Sequence, residues 1–259
     1  KETATKLGIT VYEPNGVEKE YKKIMETTKP ELIICIAFGE FIPKVVLNYP
    51  KYKCLNIHYS LLPTLRGACP VQLAILNGCK KTGITIQIME ERMDVGPILS
   101  QKEINVSEKE TTETLKEKLV PLGHNLLLET LPKWIAGEIE PMTQDESKAT
   151  YCYLRDMSKE SAQIIWEDEE PKEIERKIRA LSSWPVAWVA LNGKRLKIFE
   201  AEVITDDTKA NVGNLVEIGG LPAIKTKDPK KKLRLLSVQL EGKRRMSGRD
   251  FLQGFRINH

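Results

Sequence analysis

The run Leu32-Ile33-Ile34-Cys35-Ile36-Ala37-Phe38 is apolar without interruption and stops at Gly39. That is the pattern of a parallel strand buried on both faces. Lys53–His58 predicts a second strand. Gly83–Met89 sets Ile84, Ile86 and Ile88 against Thr85 and Gln87, which predicts a strand with one face packed. Ile98–Ile104 predicts a fourth. Between them, Pro70–Leu76 reads as a short helix closed by Gly78. A long helical stretch runs from Thr111 to about Ala136, with a break expected near Pro121 and Gly123. Strands alternating with helices predict an α/β layer fold, and sites in such sheets lie at the carboxyl ends of strands.

The pattern changes after Glu138. Pro141–Lys148 is polar and reads as a linker. Pro171 opens a helix whose Ile174, Ile178 and Leu181 share one face. Short strands follow: Trp188–Leu191 and Leu196–Ala201 around an Asn192-Gly193 hairpin turn, then Gly213–Ile218, Pro222–Thr226 and Leu233–Leu240. Such spacing suggests a small barrel. The chain opens on Lys1 rather than Met, and Lys1–Gly8 reads as the tail of a helix, so N-terminal sequence is expected to be missing.

Composition adds little: 41% hydrophobic and 29% charged residues are ordinary for a globular chain. No apolar run is long enough to span a bilayer, and no secretory signal opens the chain. Five cysteines without a C-x-x-C point to reduced thiols in a cytosol-like compartment. Charge is more telling. Residues 221–259 carry a net +8 and the remainder a net −4, so basic charge is concentrated near one end. That favours an anionic partner such as RNA, against the plainer reading of a strand edge kept soluble by lysines.

Candidate chemistry lies between residues 56 and 94. Asn56 and His58 stand two apart at the end of a strand and therefore on one face. An amide N–H donor beside an imidazole that moves protons near neutral pH can stabilise an oxyanion, and Asp94 can orient that imidazole. Each residue also has a plain reading: Asn56 as a turn cap, His58 as a hydrogen-bonded strand-end histidine, Asp94 as a solvated loop acid. His124 reads as structural and His259 as solvated. Ser60 lacks a Gly-x-Ser-x-Gly elbow and is not read as a nucleophile. The cysteines lack metal-site spacing.

Asn56-x-His58-x-Ser60-Leu61-Leu62-Pro63, Arg66-Gly67-Ala68-x-Pro70, Thr82-Gly83-x-Thr85 and Met93-Asp94-x-Gly96-x-Ile98-Leu99 together resemble the motifs of the folate-dependent formyltransferases. The likeness extends over Pro30–Ile104. Ser183-Trp184-Pro185 and the stretch Gln239–Gly254 resemble the C-terminal domain of the methionyl-tRNA branch of that family. The resemblance implies a Rossmann-like formyltransferase domain (1–140, incomplete at its N-terminus), a linker (141–157) and an OB-like β-barrel that binds tRNA (158–259). It implies transfer of the formyl group of 10-formyltetrahydrofolate to the amino group of methionyl-initiator-tRNA. The enzyme would work as a monomer, without a metal or a membrane, in a bacterial-type cytoplasm or an organellar matrix.

By the same resemblance Asn56, His58 and Asp94 are catalytic. Phe38, Gly39, Ser60, Leu61, Leu62, Pro63 and Glu90 surround the folate, although core packing is the plain reading of Phe38. Lys243, Arg244 and Arg245 meet tRNA phosphates, against the plain reading of a solvated turn. Two departures stand out. Tyr59 occupies a position where the family usually has a small residue or Pro. The family's first strand, first helix, second strand and following loop, which contacts the tRNA acceptor end, have no counterpart, so an exposed sheet edge is expected. Formylation of sugar nucleotides or glycinamide ribonucleotide, hydrolysis of 10-formyltetrahydrofolate, and non-catalytic RNA binding are the alternatives.

Overall fold

A computed structural model describes residues 1–14 and 16–254; His259 and the last positions of the basic end lie outside the described residues. The first part of the chain forms α1 (Glu2–Lys6), α2 (Glu18–Thr28), β1 (Ile33–Ile36), α3 (Lys44–Leu47), β2 (Cys54–His58) and β3 (Arg66–Gly67). Then come α4 (Pro70–Leu76), β4 (Lys81–Ile88), β5 (Ile98–Asn105), α5 (Thr112–Ile135) and β6 (Tyr151–Cys152). The remainder is α6 (Pro171–Ala180), β7 (Trp188–Leu191), β8 (Lys194–Thr205), β9 (Leu215–Ile218), β10 (Leu221–Lys225), β11 (Lys231–Leu240), β12 (Met246–Ser247) and α7 (Gly248–Gly254). No helix among the described residues is long and apolar enough to cross a membrane. The chain divides into two compact units. One holds residues 1–66, 83–103 and 121–150, and the other holds 67–82, 104–120 and 151 onward.

The first unit is built on a mixed sheet in the order β1-β2-β4-β5. β1 pairs parallel with β2, and β4 pairs antiparallel with β2. β1 lies at the edge of this sheet, so the expectation of burial on both faces is corrected: Cys35 is buried, while Ile34 is 37% and Ile36 50% exposed. An apolar run reports what a strand is made to cover, not what covers it. β4 departs the other way. Its polar face is as buried as its isoleucine face, with Thr85 and Gln87 inaccessible, because both side chains find hydrogen-bond partners inside the protein. α5 runs unbroken through Pro121 and Pro132, so the expected break is absent. A proline removes one rung of the helix ladder, and packing outweighs that loss here. Gly123 shows the packing directly: a Cβ there would lie 3.2 Å from Ile57 Cγ2 and 3.5 Å from Ile84 Cδ1, so the helix rests on the sheet at van der Waals contact.

The second unit is organised by an antiparallel sheet in the order β7-β8-β11-β10-β9, with β12 on β11. The hairpin between β7 and β8 turns at Asn192 and Gly193, with φ of 49° and 73°. These values match a type I′ turn and explain that dipeptide. α6 begins with Pro171 at its first turn and buries Ile174 and Ile178 against Val189, Leu196, Ile198, Leu233 and Leu235. The helix α2, the pair β3/β6, and the terminal β12 and α7 have no forecast in the apolar pattern, being short or dominated by charge.

One charged pair in this unit has a fully buried cation. Lys232 is fully buried, and its Nζ lies 2.9 Å from Asp206 Oδ1. Hydrogen bonds from Thr208 and Lys232 hold the Asp206 carboxyl at about 2, below the usual carboxylate range. A carboxyl lowered by folding stabilises the native state above its unfolded value. That contribution is lost as pH falls from there through about 2. Asp206→Asn is therefore expected to lower the thermal midpoint at pH 7, with the deficit shrinking as the pH approaches 2. A deficit that stayed constant between pH 7 and pH 2 would remove this ion pair from the account.

Candidate active site

β2 ends in Asn56-Ile57-His58, and the two polar residues face the same way while Ile57 packs into the core. In the antiparallel register Asn56 stands opposite Gln87 and His58 opposite Thr85. Four polar side chains thus line one face of a strand pair. The loop after β4 carries Asp94 onto this face. Asp94 has φ of 55°, in the left-handed region that costs most residues about 1–2 kcal/mol and that Asp tolerates better than most. Two residues on, Gly96 makes the turn possible. A Cβ there would fall 1.8 Å from Ile88 O, so only glycine lets the loop lie this close to β4.

The result is a compact cluster. Asn56 Nδ2 donates to Asp94 Oδ1 at 3.3 Å, and Gln87 Nε2 donates to the same oxygen at 2.8 Å. His58 Nδ1 is 3.5 Å from it. The other ring nitrogen, Nε2, lies 2.9 Å from Leu65 O. A carbonyl only accepts, so Nε2 carries the proton of that bond and Nδ1 is the ring atom that faces Asp94 and can take up a second proton. His58 and Asp94 side chains are 6% and 10% exposed; Asn56 is half-buried. An amide donor, an imidazole and a carboxylate meeting at the carboxyl end of a strand can polarise a carbonyl and receive a proton beside it.

The Ser60–Pro63 turn is pinned from below. Thr85 Oγ1 donates to Ser60 O at 2.7 Å and accepts from Leu62 N at 3.1 Å. Gln101 Nε2 donates to Leu62 O at 2.8 Å. Ser60 and Leu62 are buried, and Leu61 and Pro63 half-buried. Ser60 Oγ donates to Thr64 O, so its proton is committed to a backbone carbonyl. Tyr59 is half-buried, and burial pushes its phenol up. Phe38 is 47% and Phe41 70% exposed, which rules out core packing for Phe38. Gly39 and Glu90 are exposed as well.

In the second unit Lys243, Arg244 and Arg245 lie exposed in the connection between β11 and β12. Arg245 is anchored there: Nε donates to Ser237 Oγ at 2.8 Å and the guanidinium covers the Phe199 ring at 4.3 Å. In the neighbouring basic stretch Lys225 and Lys232 are buried, and Lys225 Nζ donates to the carbonyls of Asp228 and Pro229. Two of those charges are spent inside the fold. Among the described residues, no three His, Cys, Asp or Glu side chains gather as a metal site would require.

Three residues of the cluster escaped the sequence reading as functional groups: Gln87, Gln144 and Arg66. Gln144 lies in the polar stretch that reads as a linker, yet it is buried and donates to Asp94 O at 2.9 Å and Gly96 O at 2.7 Å. The available signal was the Thr85-x-Gln87 alternation, which marks a polar face without saying whether water or protein covers it.

Fold and site together define an α/β protein with an amide–imidazole–carboxylate centre of the kind used in acyl transfer. Comparison with known proteins supplies the family. The model of the formyl transferase domain matches residues 3–131, and that of the formyl transferase C-terminal domain matches 156–256. The chain belongs to the formyl transferase family. It is 41% identical over 259 residues to the methionyl-tRNA formyltransferase of Bacillus subtilis, covering 99% of this chain and 80% of that protein. The Bacillus velezensis methionyl-tRNA formyltransferase is 40% identical, with 98% and 80% covered. Among solved structures, HypX from Aquifex aeolicus in complex with tetrahydrofolic acid has a TM-score of 0.69 at 22% identity. That match covers 89% of this chain and 40% of HypX, so the chain spans well under half of that protein. A sugar N-formyltransferase from a Shewanella species has a TM-score of 0.64 at 26% identity, covering 76% and 78%.

Gly96→Ala tests how tightly the Asp94 loop is set. The added methyl must push the loop off β4, for a loss of about 1–3 kcal/mol in denaturant unfolding and displaced amide signals at residues 94–96. Unchanged stability and signals would mean that the loop is looser than its geometry.

Proposed function

We propose that this chain transfers the formyl group of 10-formyltetrahydrofolate to the amino group of methionyl-initiator-tRNA. The observation that carries this reading is the meeting of Asn56, His58 and Asp94 at the end of β2, in a chain about 40% identical to methionyl-tRNA formyltransferases. The residues present fit a formylated folate. The donor set suits a carbonyl oxygen, and the exposed rings of Phe38 and Phe41 follow β1 at the same edge of the sheet. We read Phe38, Gly39 and Glu90 as the outer wall of the folate site and the Ser60-Leu61-Leu62-Pro63 turn as its floor.

When bound, 10-formyltetrahydrofolate supplies an activated formyl carbon. The protein's part is positioning and charge. Asn56 spends one N–H on Asp94; its second is the one that can reach the formyl oxygen, where negative charge develops. His58 acts through Nδ1, because Nε2 is held by Leu65 O. That nitrogen takes the proton that the aminoacyl nitrogen loses as it bonds to the formyl carbon. Asp94 faces the imidazolium so formed. The proton then passes to the departing folate nitrogen.

The stretch from about 158 to 259, after a linker at 141–157, is read as the tRNA-holding part, an OB-like barrel. Two long paired strands, β8 and β11, with a register shift between Leu235 and Val238 supply the local bend that closing a small barrel needs. Lys243, Arg244 and Arg245 are its phosphate contacts. The enzyme is read as a monomer working in a bacterial-type cytoplasm.

The decisive assay offers charged initiator tRNA, free methionine and a UDP-aminosugar in parallel. Formylation of the tRNA is expected, and formylation of the sugar nucleotide alone would overturn the assignment in favour of that branch. Asn56→Ala and His58→Ala are expected to lower kcat by on the order of 10²–10³, with folate Kd nearly unchanged. Near-normal kcat in either variant would reduce that residue to scaffolding.

Replacing Lys243, Arg244 and Arg245 together by Ala is expected to weaken tRNA binding and leave folate binding unchanged. The slope of log K against log[salt] should flatten by up to about 0.9 for each phosphate that the variant no longer neutralises, taking the duplex DNA coefficient as a guide. An unaltered slope would mean that the three side chains form a solvated turn.

A further inference from the structure

We infer that Gln87 and Gln144 are positioning residues that, backed by Arg66, fix the carboxylate of Asp94 through a one-way chain of hydrogen bonds. The inference rests on the role of Asp94 proposed above, and it concerns side chains outside the Asn56–His58–Asp94 set. The chain begins at Arg66, which is fully buried. Its Nε and Nη2 donate to Gln144 Oε1 at 3.1 and 2.8 Å. Its Nη1 and Nη2 also donate to the two oxygens of Glu146 at 3.0 and 2.9 Å. Gln144 Nε2 then faces three acceptors: Gly96 O at 2.7 Å, Asp94 O at 2.9 Å and Gln87 Oε1 at 3.3 Å. Gln87 Nε2 donates to Asp94 Oδ1 at 2.8 Å.

The polarity of this chain is forced. A guanidinium has only donors, and an ionised carboxylate has only acceptors. Between them, each amide must present its oxygen toward Arg66 and its nitrogen toward Asp94. A single flip of either glutamine would set donor against donor at one end and acceptor against acceptor at the other. Gln87 and Gln144 are 1% and 6% exposed, so water does not relieve such a mismatch. Two consequences follow for Asp94. Gln144 ties the carbonyls on either side of Val95, which holds the left-handed turn at Asp94. Gln87 directs Oδ1 to the point shared with Asn56 and His58. Transfer geometry is sensitive to displacements of about 1 Å, and this chain restrains the carboxylate from both its backbone and its side chain.

Two variants of the full chain test the inference. Gln144→Met keeps the length of the side chain and removes every hydrogen bond it makes. It is expected to lower kcat for formyl transfer about tenfold or more, with KM for tRNA and folate within about twofold. Gln87→Glu is isosteric and places a second carboxylate beside Asp94 Oδ1, where two such groups share a proton. The charged or titratable groups facing Asp94 are His58 on β2, Cys35 on β1 and, beyond Gln144, Arg66. Ionisation of the shared proton removes the donor to Asp94, so the rate is expected to fall as pH rises through that step, and the His58 ring signal to titrate at higher pH than in the unaltered chain.

The ring titration, followed by NMR without substrate, separates the two readings. If the unaltered chain does not formylate charged initiator tRNA, the functional reading falls, yet a displaced His58 titration in Gln87→Glu still upholds the chain. Folded variants with normal kcat, an unchanged pH profile and an unmoved His58 signal overturn it. If Gln144→Met fails to fold, Gln87→Glu decides alone.

Discussion

Everything at the candidate site turns on one oxygen, Oδ1 of Asp94. It accepts from Gln87 at 2.8 Å and Asn56 at 3.3 Å and lies 3.5 Å from His58 Nδ1. A carboxylate with a tenth of its side chain exposed has lost most of its hydration, a cost of several kcal/mol unless donors replace the water. The donors are there, and they arrive from two strands, Asn56 from β2 and Gln87 from β4; His58 on β2 joins them once Nδ1 takes a proton. The antiparallel register that sets Asn56 opposite Gln87 is therefore a condition of the chemistry. A slip by one residue would turn Gln87 to the isoleucine face and leave Asp94 short of a donor.

The same constraint explains a glycine and a turn. Asp94 reaches β2 only because its loop folds back on β4, and the loop folds back only because residue 96 has no side chain to collide with Ile88 O. The Ser60–Pro63 turn is carried by Thr85 and Gln101, so this turn is also built on β4 and β5. These polar contacts are buried and mutually satisfied. That suits a site that must be rigid before the substrate arrives, since side chains already held in place cost no reorganisation during reaction.

How much of this was legible in the sequence depends on the kind of signal. Asn56 and His58 were legible because period-two alternation places them on one face whatever the rest of the chain does. Asp94 and Gly96 were legible through a family motif. Gln144 was not: it sits in a polar stretch that local pattern reads as solvated, and its burial depends on Arg66, 78 positions earlier in the chain. β1 misled for a related reason, since its apolar run says nothing about which neighbour covers Ile34 and Ile36. The long helix hid its continuity behind Pro121 and Gly123, and there the contact with Ile57 and Ile84 decides. In each case the missing information is a long-range partner.

Charge shows the same limit in the second unit. The net +8 of residues 221–259 is a count, and the structure divides it. Lys232 is buried on Asp206, Lys225 is folded onto backbone carbonyls, and Arg234 lies 3.0 Å from Glu202. These cations hold strands together and are poorly placed to release counterions from a nucleic acid. Arg245 is partly engaged, its guanidinium laid on Phe199, yet it stays exposed beside Lys243 and Arg244. Stacking of this kind narrows the rotamers of a long side chain, so an arginine held ready loses less entropy on meeting a phosphate than a free one does. Among the described residues the basic end thus separates into charges that build the sheet and charges left at its rim, and the second group is the better placed for an electrostatic interaction with an anionic partner.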